Sequence, residues 1–269
     1  MLIVEDDVSQ ALFAESILMG AGMEAAVVLA EGALELAFQP VVAVAGGEHA
    51  LYQTLLRLRD PSGALHTVTE ILPVIAEAGL LHQYDQHVVQ LTIELLRRCQ
   101  REGKPVRLFV SQSPRTLAAD GYAAWLVEAL SLGEVAEGAL VVDVRLDDAL
   151  IHALSLEEFC AEMVPAGIQL CLSQYRTGEE AQALLARLPL SYVRLAAEYA
   201  SGLEDPAVHG EMRTAIEHAH RLGLQVIGQQ VDDPQAAATL WMSGVDFIQG
   251  NLVHEVGDGL DFDFQHSVL

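Results

Sequence analysis

The chain has 269 residues, with 14 Lys and Arg against 38 Asp and Glu and a formal net charge of −24 at pH 7. With 52% hydrophobic and 19% charged residues it can bury a sizeable core in one large domain or two small ones, which excludes a disordered chain. So large an acidic excess excludes generic binding to DNA, RNA or an anionic membrane surface, since each needs a basic face.

Lys104 is the one lysine, so any anion held by a side chain is held by arginine. No apolar run approaches the length of a membrane-spanning helix, and Glu5-Asp6-Asp7 directly behind the N-terminus excludes a signal peptide. A cytoplasmic protein without membrane insertion is expected. Cys99, Cys160 and Cys171 lack metal-ligand spacing and lie in apolar stretches, the pattern of buried free thiols.

In chain order, residues 2–4 read as a strand, Glu5-Asp6-Asp7 as its acidic end, 8–19 as a helix and 25–29 as a second strand. This resembles the opening of a response-regulator receiver domain. A receiver also needs a phosphoacceptor aspartate on its third strand and a lysine on its fifth, and a different pattern begins before either. Residues 1–30 are therefore expected to be a receiver-like remnant or lead-in segment without phosphorylation chemistry, and 31–269 a separate barrel.

That later pattern alternates apolar, β-branched runs with helical periodicity. The runs are 34–44, 49–58, 106–110, 140–144, 168–172, 192–195, 224–227 and 245–248, with Gly46-Gly47 reading as a hairpin turn between the first two. Helical patterns cover 68–78, 83–101, 123–132, 156–164, 179–188, 208–222 and 235–242, punctuated by Asp233-Pro234 and Gly223. Eight strands, six of them following helices, predict an α/β fold: a (β/α)8 TIM-like barrel whose first strand is antiparallel. A doubly wound open sheet is the competing architecture, but it needs no such hairpin.

Barrel sites are built at the C-terminal ends of the strands. Those positions hold Gln53-Thr54, Ser111-Gln112, Asp143, Ser173-Gln174, Arg194, Gln229-Gln230 and Gln249-Gly250. A hydrolase using divalent cations would offer several carboxylates or histidines there. Amides and hydroxyls with one aspartate and one arginine suit binding of a purine or phosphodiester better than metal chemistry. The ten histidines form no metal motif, Ser113-Pro114 lacks the glycines of a nucleophile elbow, and Gly257-Asp258-Gly259 reads as a plain turn.

From about residue 34 to 264 the chain resembles the EAL family, whose active members hydrolyse cyclic di-GMP with two divalent metals. Phe38-Gln39-Pro40 resembles the family's Y-Q-P opening, and Tyr52-Gln53-Thr54-Leu55-Leu56-Arg57 stands at the E-A-L-L-R signature. Ile71-Leu72-Pro73, Ala76-Glu77 and Gly79-Leu80 follow the F-I-P-x-A-E-x-x-G-L segment. Farther on, 110–113 stands for V-N-L-S, Val142-Asp143-Val144 for the L-E-I-T-E strand, Tyr192-Val193-Arg194-Leu195 for the strand ending K-I-D, and Gln249-Gly250 for Q-G.

The departures fall on the chemistry. Gln53 replaces the signature glutamate, Ser111 the asparagine, Ser173 and Gln174 the paired aspartates of D-D-F-G-T-G, and Gln229 the presumed base. Leu146 replaces the second glutamate of E-I-T-E, Arg194 the lysine, and Ala196 the aspartate that follows it. Asp143 alone keeps a carboxylate among the positions of the metal ligands. Within the family, Ser173-Gln174, Ala238-Thr239-Leu240-Trp241, Ile248-Gln249-Gly250 and Asp261-Phe262-Asp263-Phe264 are similar to the degenerate, FimX-like branch, whose members are receptors rather than hydrolases.

The resemblance implies a catalytically inactive receptor without a metal cofactor, with cyclic di-GMP as ligand. It would signal through a protein partner, of PilZ-adaptor type, in pilus or motility control. It implies contacts to phosphate or guanine from Arg57, to guanine edges or ribose from Gln39 and Gln249 beside Gly250, and to guanine or the pocket wall from Asp85 and Asp232. Leu55 would support a base, and Arg194 would supply charge near the phosphates. The alternatives are an interaction module that has lost the nucleotide, dimerising or docking through residues 1–30 as a homodimer or with a partner, and a residual phosphodiesterase.

Overall fold

The computed structural model describes residues 33–265, apart from 48, 60–62, 64, 78, 133–134 and 203–204. The receiver-like stretch expected over 1–30 lies outside the described residues. Among the described residues one sheet contains β1 (Ala33–Pro40), β2 (Val42–Ala43), β3 (Ala50–Arg59), β4 (Leu65–Thr67), β5 (Val106–Ser111), β6 (Leu140–Arg145), β7 (Gln169–Tyr175), β8 (Tyr192–Leu195), β9 (Gln225–Gly228) and β10 (Phe247–Ile248). Its order is β1-β3-β5-β6-β7-β8-β9-β10-β2, with β4 paired to β3 off this path.

The antiparallel opening is β1 against β3, in register from Ala33 opposite Arg59 to Pro40 opposite Tyr52. Every neighbouring pair from β3 through β10 is parallel. The run expected as one strand over 34–44 is divided between two partners. Val41 N still donates to Leu51 O at 2.8 Å, and then β2 crosses to β10, placing Val42 opposite Ile248 and Ala43 opposite Phe247. That division closes the barrel and pairs backbone groups that a free sheet edge would leave exposed. It also corrects the hairpin reading of Gly46-Gly47. Gly46, at φ +76°, donates to Ala43 O at 3.1 Å and ends β2 instead of joining β1 directly to β3.

The helices in chain order are α1 (Val68–Glu77), α2 (Leu81–Arg101), α3 (Pro114–Leu117), α4 (Tyr122–Leu132), α5 (Leu146–Ile151), α6 (Ala153–Met163), α7 (Glu179–Arg187), α8 (Glu198–Ser201), α9 (Pro206–Arg221) and α10 (Pro234–Met242). The sequence pattern locates the seven longer ones. It misses α3, α5 and α8, each a short helix just after a strand, too short to show periodicity. Local chemistry explains the boundaries. Asp205 and Asp233 cap α9 and α10, accepting from Ala207 N and Ala236 N at 2.8 Å each, with proline at the next position. Ser113, before Pro114, caps α3 by accepting from Arg115 N at 3.3 Å. On α2 the buried Tyr84, Val88, Val89, Ile93, Leu96 and Cys99 follow the 3.6-residue period that seats the helix on the barrel.

Inside the barrel the side chains lie in layers. Val41, Leu51, Phe109, Val141, Cys171, Tyr192, Ile227 and Phe247 form an apolar plug, one residue from each stave. Because side chains alternate across a strand, the inward residue two positions nearer the C-terminal mouth is polar on every stave. Gln53, Ser111, Asp143, Ser173, Arg194, Gln229 and Gln249 arise in this way, and Gln39 does so on the antiparallel first strand. The plug is the rigid floor of the site. Cys99, Cys160 and Cys171 are buried and free, and burial raises all three thiols above their ordinary range. Among the described residues no helix is long and apolar enough to cross a membrane.

Candidate functional site

The polar layer opens into a cavity of about 280 Å³ at the C-terminal mouth. Of the residues singled out in the sequence, Gln39, Gln53, Leu55, Ser111, Asp143, Ser173, Gln174, Arg194, Gln229 and Gln249 line it together. A second cavity of about 260 Å³ adjoins it, sharing Ser111, Asp143 and Arg145 as a common ridge. Asp85 lines this second cavity.

At the centre, Asp143 and Arg194 form a buried ion pair, Oδ2 to Nη2 at 3.4 Å, with side chains only 2% and 5% exposed. The guanidinium carbon stands 5.3 Å from the centroid of the Phe109 ring in the plug below, a cation–π contact that helps hold a charge out of water. The pairing is electrostatic rather than fully hydrogen-bonded. Asp143 Oδ1, Arg194 Nε and Nη2, Gln53 Oε1 and Gln249 Oε1 are buried and make no hydrogen bond. Five orphaned polar atoms around one cavity are what a polar ligand would satisfy.

The amides are otherwise tied down. Gln249 Nε2 donates to Gln39 Oε1 at 2.9 Å, and Gln39 Nε2 donates to His254 O at 3.2 Å. Gln53 Nε2 reaches Ser111 Oγ at 3.4 Å, and Gln229 Nε2 donates to Leu195 O at 2.7 Å. Gln174 and Gln230, both at φ +55°, are the non-glycine residues with positive φ among the described residues. Such backbone costs on the order of 1–3 kcal/mol each and concentrates where geometry serves a site. Gln174 Oε1 accepts from Ala197 N at 3.2 Å, so the segment following β8 supports the first of these turns.

The remaining expected residues stand around this centre. Asp85, 3% exposed, accepts at Oδ2 from Thr116 Oγ1 at 2.5 Å and from Ser113 N at 3.0 Å. Burial pushes its carboxyl up to about 7 despite those two bonds, which pull it down. Gln112 completes the wall, donating to Asp85 O at 3.1 Å and accepting from Tyr122 OH at 2.6 Å. Arg57 does not line the central cavity; it binds Asp258 Oδ1 and Val256 O, each at 2.9 Å, and so ties β3 to the C-terminal segment. Asp232 Oδ1 accepts from Asn251 N at 3.2 Å beside Gly250. A Cβ on Gly250 would fall 2.2 Å from Val231 O, so only glycine fits this crossing.

Gln230, at a strand end named in the sequence, also lines the central cavity, as does Arg145, which was not singled out there. Arg145 was legible, since it follows Asp143 by the two-residue period of an inward strand face. The left-handed turn that places Gln230 was not.

Among the described residues no group of three His, Cys, Asp or Glu side chains comes together to hold a metal ion. Asp143 is the one carboxylate in the central lining. The arrangement offers hydrogen bonds and positive charge to an anionic, amide-recognising ligand. It offers no carboxylate cluster.

The EAL domain model matches residues 23–255. The chain is 26% identical over 239 residues to an uncharacterized 76.5 kDa protein of Thiocystis violacea, covering 88% of this chain and 34% of that protein. It is 27% identical over 232 residues to the cyclic di-GMP phosphodiesterase NbdA of Pseudomonas aeruginosa, covering 83% and 29%. The chain thus spans about a third of the length of these curated relatives. Among solved structures, the FimX EAL domain of Pseudomonas aeruginosa bound to c-di-GMP is similar with a TM-score of 0.81 at 25% identity, covering 93% of this chain and 99% of that one. The FimX EAL domain of Xanthomonas citri in complex with c-diGMP shares the fold with a TM-score of 0.82 at 22% identity, covering 97% and 99%. With the family model spanning most of its length and the barrel closed through an antiparallel first strand, the chain belongs to the EAL domain family.

Proposed function

We propose that this barrel is a receptor for cyclic di-GMP that binds the dinucleotide at its C-terminal mouth without hydrolysing it. The observation that carries this reading is the lining of the central cavity: amides and hydroxyls around one carboxylate, Asp143, which is already ion-paired to Arg194. The two divalent cations that the family uses in its active members do not fit this donor set. A two-metal clamp holds its cations about 3.5–4 Å apart and needs several anionic ligands around them. Amide side chains are weak ligands for hard cations. Gln229, at the place of the presumed base, cannot accept a proton and commits its Nε2 to Leu195 O.

Two features support binding without metal. Replacing clustered carboxylates by amides, serine and arginine removes repulsion toward an incoming phosphodiester, and the orphaned atoms of Gln53, Gln249 and Arg194 supply polar partners. The c-di-GMP-bound FimX EAL domain has the same fold at 25% identity. In the same reading residues 31–269 are the receptor module and 1–30 the receiver-like lead-in. The protein works in the cytoplasm through a protein partner of PilZ-adaptor type, in pilus or motility control.

The test is calorimetry with cyclic di-GMP in EDTA and in Mg²⁺ or Mn²⁺, beside chromatography of the products. Binding of equal strength in EDTA with no linear product is expected. Gln53→Glu should add an uncompensated acid, weaken binding and give no turnover. Metal-dependent product from the wild-type chain would overturn the receptor reading in favour of a phosphodiesterase. Absence of binding would favour an interaction module.

A further inference from the structure

We infer that Arg145 is a phosphodiester-anchoring residue, acting together with Arg194 at the mouth of the barrel. The inference rests on the cyclic dinucleotide reading of this cavity and names a residue of the site that the family motifs do not single out.

Arg145 closes β6, in register with Ser173, and continues the inward series Val141, Asp143, Arg145. It therefore stands one layer above the buried Asp143–Arg194 pair, on the ridge shared by the two cavities. Arg115 on α3 lines the second cavity but not the central one, and three further arginines of this end are committed. Arg57 is paired with Asp258, Arg176 with Asp147 at 2.5 Å, and Arg194 with Asp143. Among the described residues Arg145 has no ion pair and no side-chain hydrogen bond, although its side chain lines both cavities.

The charge count points the same way. The central lining contains Asp143, Arg194 and Arg145 as its charged groups. The first two neutralise each other, so Arg145 leaves one net positive charge in the central lining of a chain carrying −24. A phosphodiester carries one negative charge and two equivalent oxygens, which match the planar fork of a guanidinium. Arg194 lies too deep, and too close to Asp143, to serve as the first contact. Arg145, exposed and unpaired, can order over the ligand as it enters.

Calorimetry in EDTA on the wild-type chain, Arg145→Gln and Arg145→Lys tests this, with cyclic di-GMP and cyclic di-AMP as probes sharing one phosphodiester ring but differing in base. Arg145→Gln is expected to weaken cyclic di-GMP binding on the order of 10- to 100-fold and to reduce its sensitivity to salt. Arg145→Lys should recover part of the affinity. Thermal melts of both variants without ligand should match the wild type within about 2 °C, since the side chain has no partner to lose. If cyclic di-GMP binds Arg145→Gln within about twofold of wild type, the inference fails while the receptor reading stands. If the wild type binds cyclic di-AMP alone, and Arg145→Gln loses it, the phosphodiester anchor stands and the guanine ligand falls. If neither dinucleotide binds the wild type, both are overturned.

Discussion

Substituting Asp85 by asparagine should change how stability depends on pH in a calculable way. Asp85 lies on α2 behind the Ser111-Gln112-Ser113 turn, and burial pushes its carboxyl up to about 7. The unfolded chain releases the same proton near the ordinary aspartate value, about 3.9. Between those values the folded state holds a proton that the unfolded state has lost. This group's contribution is therefore fully present below about pH 4, declines as pH rises, and is lost above about pH 7. The slope is about 1.4 kcal/mol per pH unit, which amounts to about 2–3 kcal/mol between pH 5 and pH 8.

Asp85→Asn keeps an acceptor for Thr116 Oγ1 and Ser113 N, now bonded to Asp85 Oδ2, and removes the titration. Urea unfolding of both proteins at several pH values, extrapolated linearly to water, measures the difference and cancels the remaining acids. The variant should gain about 2–3 kcal/mol on the wild type from pH 5 to pH 8. Parallel curves, or a wild type that gains on the variant as pH rises, would show that the hydrogen bonds outweigh burial and would refute the reasoning.

Arg194→Met should cost about 3–5 kcal/mol in urea unfolding by leaving Asp143 buried and uncompensated. Adding Asp143→Leu should restore most of that loss, and a double variant no more stable than the single one would show that the two charges do not depend on each other. Gly250→Ala should cost at least about 3 kcal/mol and abolish ligand binding, because the new Cβ would lie 2.2 and 2.3 Å from Val231 backbone atoms, which cannot yield as a flexible side chain would. A normal melting temperature for that variant would disprove the close crossing of the two segments.

The alternation of apolar runs and helical periods, the capping pairs at Asp233-Pro234, and the ordered motifs at Gln39, Gln53, Asp143 and Gln249 made the EAL-type barrel legible from the sequence alone. Those features are local, and each is set by side chains within a few residues of one another. The inward polar layer was legible for a related reason, because the two-residue period along each stave points it to the same side as the apolar plug. What the linear order could not supply was the partition of 34–44 between β3 and β10, since a strand's second partner depends on where the last stave arrives in space. The anchoring of Arg57 on Val256 and Asp258 was equally hidden. So were the pairing of Arg194 with Asp143, the left-handed turns at Gln174 and Gln230, and the unpaired state of Arg145. Sequence determines which charges and amides exist and which way a strand points them. Only the closed barrel decides which of them meet, because partners dozens of residues apart become neighbours when its staves do.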